Sequence, residues 1–211
     1  MAFGIFLNFE KVSIEIIEEH IAKMTNNNVI HYEPDFDALE EESFIKNLKN
    51  GAVAIVFIQN LFETSLNTIL RRRADISEAD ILKSSISVKL QILSLIYGFE
   101  LSAIKSDHSY AIYREIEKVR NDITHFKSNI LCEATAIPAD VKIDLGASTK
   151  TLASIFTQDY VSEGYAQVKK LIKLICVNCG LYVYDDVQII DYDGRDDICE
   201  FIVSSDPSNR D

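Results

Sequence analysis

Apolar positions recur at helical spacing along most of this chain. Val12 to Met24 carries them at 14, 16, 17, 21 and 24, which predicts a helix that the run Thr25-Asn26-Asn27-Asn28 stops. Ahead of it, Ile5 to Phe9 suits a short strand or the lead-in to that helix. Pro34 and the acids around it read as a loop, followed by a short helix near 38–48. Gly51 then opens a strong helix over 52–73, with Val53, Val56, Phe57, Asn60, Leu61, Leu66, Ile69 and Leu70 mostly on one broad face. Arg71-Arg72-Arg73 ends it, where cations complement the helix dipole. Ser77 caps a helix running to Ile104, with Gly98 as a kink. Ser106 or Asp107 caps a third, 108–127, and Thr157 caps a fourth, 157–184, with Phe156 and Val161 placed as a hydrophobic staple. Between these last two, Val141 to Leu145 alternates like a short strand or extended loop. Near the C-terminus, Val187 to Ile190 and Ile198 to Val203 are β-like, and Asp193-Gly194 can turn a hairpin between them. The expectation is a mainly α protein: an antiparallel bundle of four long helices, short N-terminal helices and a small C-terminal β-hairpin.

Composition agrees with helices. Only three Pro and seven Gly punctuate 211 residues, and 47% hydrophobic residues supply a core. The first residues, Met1-Ala2-Phe3-Gly4, lack a basic segment and a cleavage site, so a cytoplasmic setting with reduced thiols is expected. The longest apolar run, Ala52 to Ile58, is broken by Gln59 and Asn60, so no membrane span is expected.

Charge divides the chain into three. Residues 1–46 hold ten acids and three bases, and residues 185–211 hold nine and two, so each flank carries −7. The middle, 47–184, is at +2, which removes the objection that a net charge of −12 repels nucleic acid. The expected organisation is an acidic N-terminal helical extension packed on the body (1–50), a helical body (51–184) and an acidic tail (185–211). The flanks are solvated surface, a screen over a site, or a contact for a basic partner.

The chemistry is concentrated in Arg120-Asn121-Asp122-Ile123-Thr124-His125. A permanent cation, an amide and a titratable imidazole within six residues are the groups that hold a phosphodiester and move its protons. Asn121 and His125 are four apart and share a helix face, and Arg120 has a long arm that reaches the same site. The stripe Ala111, Ile112, Ile116, Val119, Ile123 and Phe126 is expected to face the core instead. On spacing alone, the competing account is an exposed helix whose Arg pairs with acids.

An Arg, a polar residue, a short spacer and a His, set late in a helical bundle, resemble the signature of the HEPN superfamily, many of whose members are metal-independent endoribonucleases. The resemblance covers 52–184. It implies that His125 acts as base on an RNA 2′-hydroxyl or as acid for the leaving 5′-oxygen. It also implies that Arg120 stabilises phosphoryl charge and that Asn121 orients His125 or the phosphate. It implies cyclic 2′,3′-phosphate ends, no metal and no cofactor, and a homodimer with a composite site, since one His cannot easily be base and acid at once. A toxin or a stress or phage-defence effector is the implied setting, with an antitoxin or regulatory partner; a non-catalytic binding module of the same fold is the alternative. Some family toxins carry a modifiable Tyr two residues after the His; here that position is Lys127, which can add a phosphate contact.

Other residues weigh less. Glu63 either pairs with Arg120 or sits solvated at its helix's edge. Cys176 and Cys179 read as helix-packed thiols, with no second pair to complete a zinc site. Tyr110 and Tyr113 suit packing better than base stacking. His20, His31 and His108 have no metal-ligand spacing. Asp122 is a surface acid or a tuner of His125.

Overall fold

The computed structural model describes residues 9–26, 38–73, 76, 79–125, 142–146 and 148–180. These residues form a mainly helical protein: α1 (Phe9–Ala22), α2 (Ala38–Arg73), α3 (Ala79–Leu82), α4 (Ile86–Tyr97), α5 (Leu101–Ser106), α6 (His108–His125), α7 (Leu152–Ile155) and α8 (Gln158–Asn178). Strands β1 (Lys142–Asp144) and β2 (Thr149–Thr151) make a small antiparallel sheet. Residues of the expected C-terminal hairpin, the Pro34 loop and the cap at Ser77 lie outside the described residues.

The 36-residue α2 is the central element, packed against α1, α4, α6 and α8. Its buried arc is Ala54, Ile55, Ile58, Leu61, Phe62, Leu66, Ile69 and Leu70. That arc is rotated from the expected one: Val53, Val56 and Phe57 are half-buried and Asn60 is exposed. Gly51 does not open a helix. It lies inside α2, where an added Cβ would sit 2.6 Å from Phe156 Cδ1 and 3.1 Å from Met24 Cε. The glycine serves close helix approach rather than a break. The boundary drawn between residues 50 and 51 therefore falls within one continuous helix. α2 also contains a stretch, Ser43–Arg71, long and apolar enough to cross a membrane by length and composition. In this fold its apolar side is packed against other helices, and the core helix of a soluble protein passes the same test.

Side-chain pairs set the helix directions. Thr68 Oγ1 donates to Glu10 Oε1 at 2.6 Å, His20 Nδ1 meets Asn50 Oδ1 at 2.8 Å, and Thr25 N donates to Asn47 Oδ1 at 2.9 Å. These run in opposite senses, so α1 and α2 are antiparallel. The Tyr165–Glu18 and Gln158–Ile21 hydrogen bonds make α1 and α8 antiparallel. Lys170 near Asp107 (3.8 Å) and Tyr160 near Glu115 (3.5 Å) do the same for α6 and α8. Hence α1 and α6 run one way, and α2 and α8 the other.

The single helix expected over 77–104 is instead three short ones. Ser85 Oγ accepts from Val88 N and starts α4. Gly98 stops α4 outright: its φ is +72° and its N–H donates to Ser94 O at 2.9 Å, the left-handed C-cap glycine favours. Two starts follow the expected caps. Asp107 Oδ1 accepts from Ser109 N at 2.8 Å before α6, and Thr157 Oγ1 accepts from Tyr160 N at 3.1 Å before α8, with Phe156 and Val161 both fully buried. The alternation at 141–145 becomes β1, with Ile143 and Leu145 buried and a turn closed by Gly146 N on Asp144 Oδ1 at 2.7 Å.

Gly51→Ala sets two effects against each other. A mid-helix Ala gains about 1 kcal/mol of propensity. Overpacking against the buried Phe156 ring costs about 1–3 kcal/mol. The expected outcome is a lower urea midpoint for Gly51→Ala. Gly164→Ala should be closer to neutral, because its 2.6 Å neighbour is Ile116 Cδ1, the end of a flexible chain.

Candidate functional site

α6 carries the candidate residues, and its packing decides their positions. Ser109, Tyr113, Ile116 and Val119 are fully buried. Ala111, expected in the stripe, is exposed; Ile112 and Ile123 pack at its margin, and Phe126 lies outside the described residues. The large ring of Tyr113 claims the core position instead, 4.4 Å from the Phe62 ring and 6.1 Å from that of Tyr110. Burial above all, then the carboxylate of Glu117 that accepts from its hydroxyl at 3.2 Å, holds Tyr113 protonated far above the usual phenol range.

Arg120 follows Tyr113 and Ile116 at seven and four residues, so its side chain starts on the packed side of α6. It is half-buried, and its Nε has no hydrogen-bond partner among the described residues. Its Nη1 donates to Asn121 Oδ1 at 3.0 Å. The guanidinium is therefore rooted in the wall and bent toward Asn121. Thr124 Oγ1 donates back to the carbonyls of Arg120 (3.1 Å) and Asn121 (3.0 Å). His125 is the last residue of α6, one turn beyond Asn121. Positions 120 and 125 are separated by roughly 140° around an α-helix axis. The contact between Arg120 and Asn121 is what carries the cation toward the register of residue 125. Lys127 lies outside the described residues. Asp122 is half-buried.

This arrangement suits an oxyanion. Arginine has five N–H donors in a planar fork, and only one here is engaged by a described neighbour. A buried, unpaired donor costs about 1–3 kcal/mol, which an accepting phosphate oxygen would recover.

Glu63 does not pair with Arg120, nor is it merely solvated. It accepts from Lys89 Nζ at 2.7 Å, across the contact between α2 and α4. The Lys89 side chain is 0% exposed and that of Glu63 is 40% exposed. The sequence carries a signal for this pair: Lys89 is the lone charged residue in an apolar helix, three after Ile86 and four before Leu93. A cation so placed needs a carboxylate.

Four further contacts seat the sheet and steady α6. Lys150 Nζ donates to Glu115 Oε2 at 2.8 Å and lies 4.7 Å from the Tyr160 ring centre, tying β2 to α6 and α8. Lys118 lies 3.7 Å from Asp144, whose carboxyl is held low chiefly by the Gly146 N–H and then by Lys118. Arg114 pairs with Glu117. Arg71 is exposed, and His108 is the exposed first residue of α6. Among the described residues, no three His, Cys, Asp or Glu side chains cluster to hold a metal. Cys176 and Cys179 are buried in and just after the last turn of α8. Burial pushes both thiols up to about 12, with Cys179 adding to the effect on Cys176, so neither is poised as a nucleophile. Compared with known proteins, the chain matches no family model, no curated protein and no solved structure.

Two outcomes follow from these groups. Glu63→Gln leaves a buried ammonium without its counter-charge and should cost about 3 kcal/mol, the lower end of the buried-pair range because Glu63 is partly solvated. Glu63→Gln with Lys89→Met should recover most of that in urea unfolding. The thiols have folded pKa values above their ordinary 9.0, so they favour the folded state below pH 9. That contribution is lost as pH rises from about 9 toward about 12. Denaturation midpoints should fall across that window, and less steeply in Cys176→Ala.

Proposed function

We propose that this chain is a metal-independent endoribonuclease of HEPN type, acting as a homodimer. Its setting would be the cytoplasm, as a toxin or a stress or phage-defence effector. The observation that carries this reading is the Arg120 guanidinium, joined to Asn121 at 3.0 Å with an Nε donor unpaired among the described residues, on the helix that ends at His125. The alternating directions of α1, α2, α6 and α8 support a four-helix bundle as the underlying architecture. In it α1 takes the place of the helix expected over 77–104.

The chemistry balances without a cofactor. His125 of one copy removes the proton of an RNA 2′-hydroxyl, whose oxygen attacks the adjacent phosphorus. The bond from phosphorus to the 5′-oxygen breaks, and the second copy's imidazole returns a proton to that oxygen. The products are a 2′,3′-cyclic phosphate and a 5′-hydroxyl. An imidazole titrating near neutrality suits both transfers. Arg120 neutralises charge on the non-bridging oxygens, and Asn121 holds Arg120 in place.

The net charge of −12 favours a second reading, a non-catalytic binding module on the same fold. Activity separates the two. Purified protein should cut RNA in EDTA and leave cyclic phosphate ends. His125→Ala should abolish cutting, and Arg120→Ala should slow it by roughly 10²–10³-fold, the scale of one lost oxyanion donor. Equal behaviour of wild type and His125→Ala on several RNAs would refute the enzyme reading.

A further inference from the structure

We propose that Tyr113 and Arg114 are positioning residues, which together hold the Glu117 carboxylate away from Arg120 and so keep that guanidinium open to an anion. The inference rests on the phosphate site proposed above and names what keeps its cation available. It begins from a pair that the helix does not make. Glu117 stands three residues before Arg120, and an acid ahead of a base is the favoured order for an ion pair on a helix. Both residues are half-buried, where attraction between charges is screened less. Yet Glu117 reaches toward the start of α6. Its Oε1 accepts from the Tyr113 hydroxyl at 3.2 Å, and its Oε2 accepts from Arg114 Nη1. The pair with Arg114 puts the base ahead of the acid, which is the less favoured order.

Tyr113 decides the direction. Its ring is fully buried and lies 4.4 Å from the Phe62 ring, so its hydroxyl is a fixed donor one turn before Glu117. With Oε1 held there, Oε2 is the oxygen left over. Arg114 is 58% exposed at its side chain and closes on that oxygen from the surface. The other acids of α6 leave Arg120 alone as well. Glu115 accepts from Lys150 Nζ at 2.8 Å. Asp122 is two residues from Arg120, a spacing at which side chains do not face each other. Among the described residues, the one acceptor on the Arg120 side chain is the neutral amide of Asn121, at 3.0 Å. Arg114 is six residues from Arg120, about 9 Å along the helix axis, so it acts on the site through Glu117.

NMR of the full chain tests this, first without ligand. In Arg114→Ala the Oε2 of Glu117 loses its partner and turns to Arg120. The Arg120 Nε–H resonance should then move downfield and exchange more slowly with water. Tyr113→Phe keeps the ring and its packing, and should act in the same way through Oε1. Adding Glu117→Gln to either variant should return the resonance to its wild-type position. Titration with a 2′-deoxy dinucleotide is the second arm. Affinity should fall roughly two- to fivefold in each single variant, the scale of one ion pair at a surface, and recover when Glu117→Gln is added. Tyr113→Phe changes no charge, so net charge cannot explain its loss. Arg114 is exposed, so helicity by circular dichroism should be unchanged in Arg114→Ala. The proposal is overturned by an Arg120 resonance that stays in place in Arg114→Ala. Lost affinity that Glu117→Gln does not recover also overturns it, because Arg114 would then touch the phosphate itself. A wild type that binds no dinucleotide counts against the phosphate site, while the ligand-free resonances still decide whether Tyr113 and Arg114 govern Glu117.

Discussion

The structure depends on covering one side of α2. That helix presents Ile55, Ile58, Leu61, Phe62, Leu66, Ile69 and Leu70 along a single arc, and each is at most 3% exposed. Removing such an arc from water is the dominant favourable term available to the chain. α1, α6 and α8 do the covering, and close approach at Gly51 lets Phe156 enter the layer beside α8. The position of the candidate site follows from this. Tyr113 packs on Phe62 and thereby sets the rotation of α6 about its axis. Once Tyr113 and Ile116 face inward, Arg120 must begin on the same side, half-buried. Its guanidinium then turns toward Asn121, to which Nη1 donates.

Local hydrogen-bond chemistry was the most legible layer of the sequence. Asp107 before α6 and Thr157 before α8 each satisfy an N–H that the first helical turn leaves open, and that need is local. The alternation at 141–145 was legible for the same reason, since a strand's two faces are written in successive residues. Glycine was not. Gly51 and Gly98 look alike in sequence, yet one sits inside a helix because a ring passes close by, and the other stops a helix at φ +72°. The first cause is a tertiary neighbour more than a hundred residues away. The rotation of the α6 stripe failed similarly: Ala111 fits a stripe by spacing, but Tyr113 has far more area to bury.

Electrostatic partners were hardest to foresee, because they join distant segments. The sequence leaves Glu63 either paired with Arg120 or solvated, and its partner is Lys89 on α4. That pairing has two consequences. It leaves Arg120 free of Glu63, so its positive charge is not cancelled there. It also takes the one charge of α4 out of solvent, leaving that helix with an uncharged outer face on an otherwise strongly acidic chain.

The central claim is that Arg120, Asn121 and His125 form one phosphate site although the first and last start on different sides of α6. NMR with a 2′-deoxy dinucleotide, which binds but has no nucleophile, tests it most directly. In EDTA, the expected result is that the Arg120 guanidinium, the Asn121 side-chain amide and the His125 imidazole shift together along one saturation curve. An Arg120 guanidinium that does not move while His125 titrates, or no response from any of the three, would contradict the account.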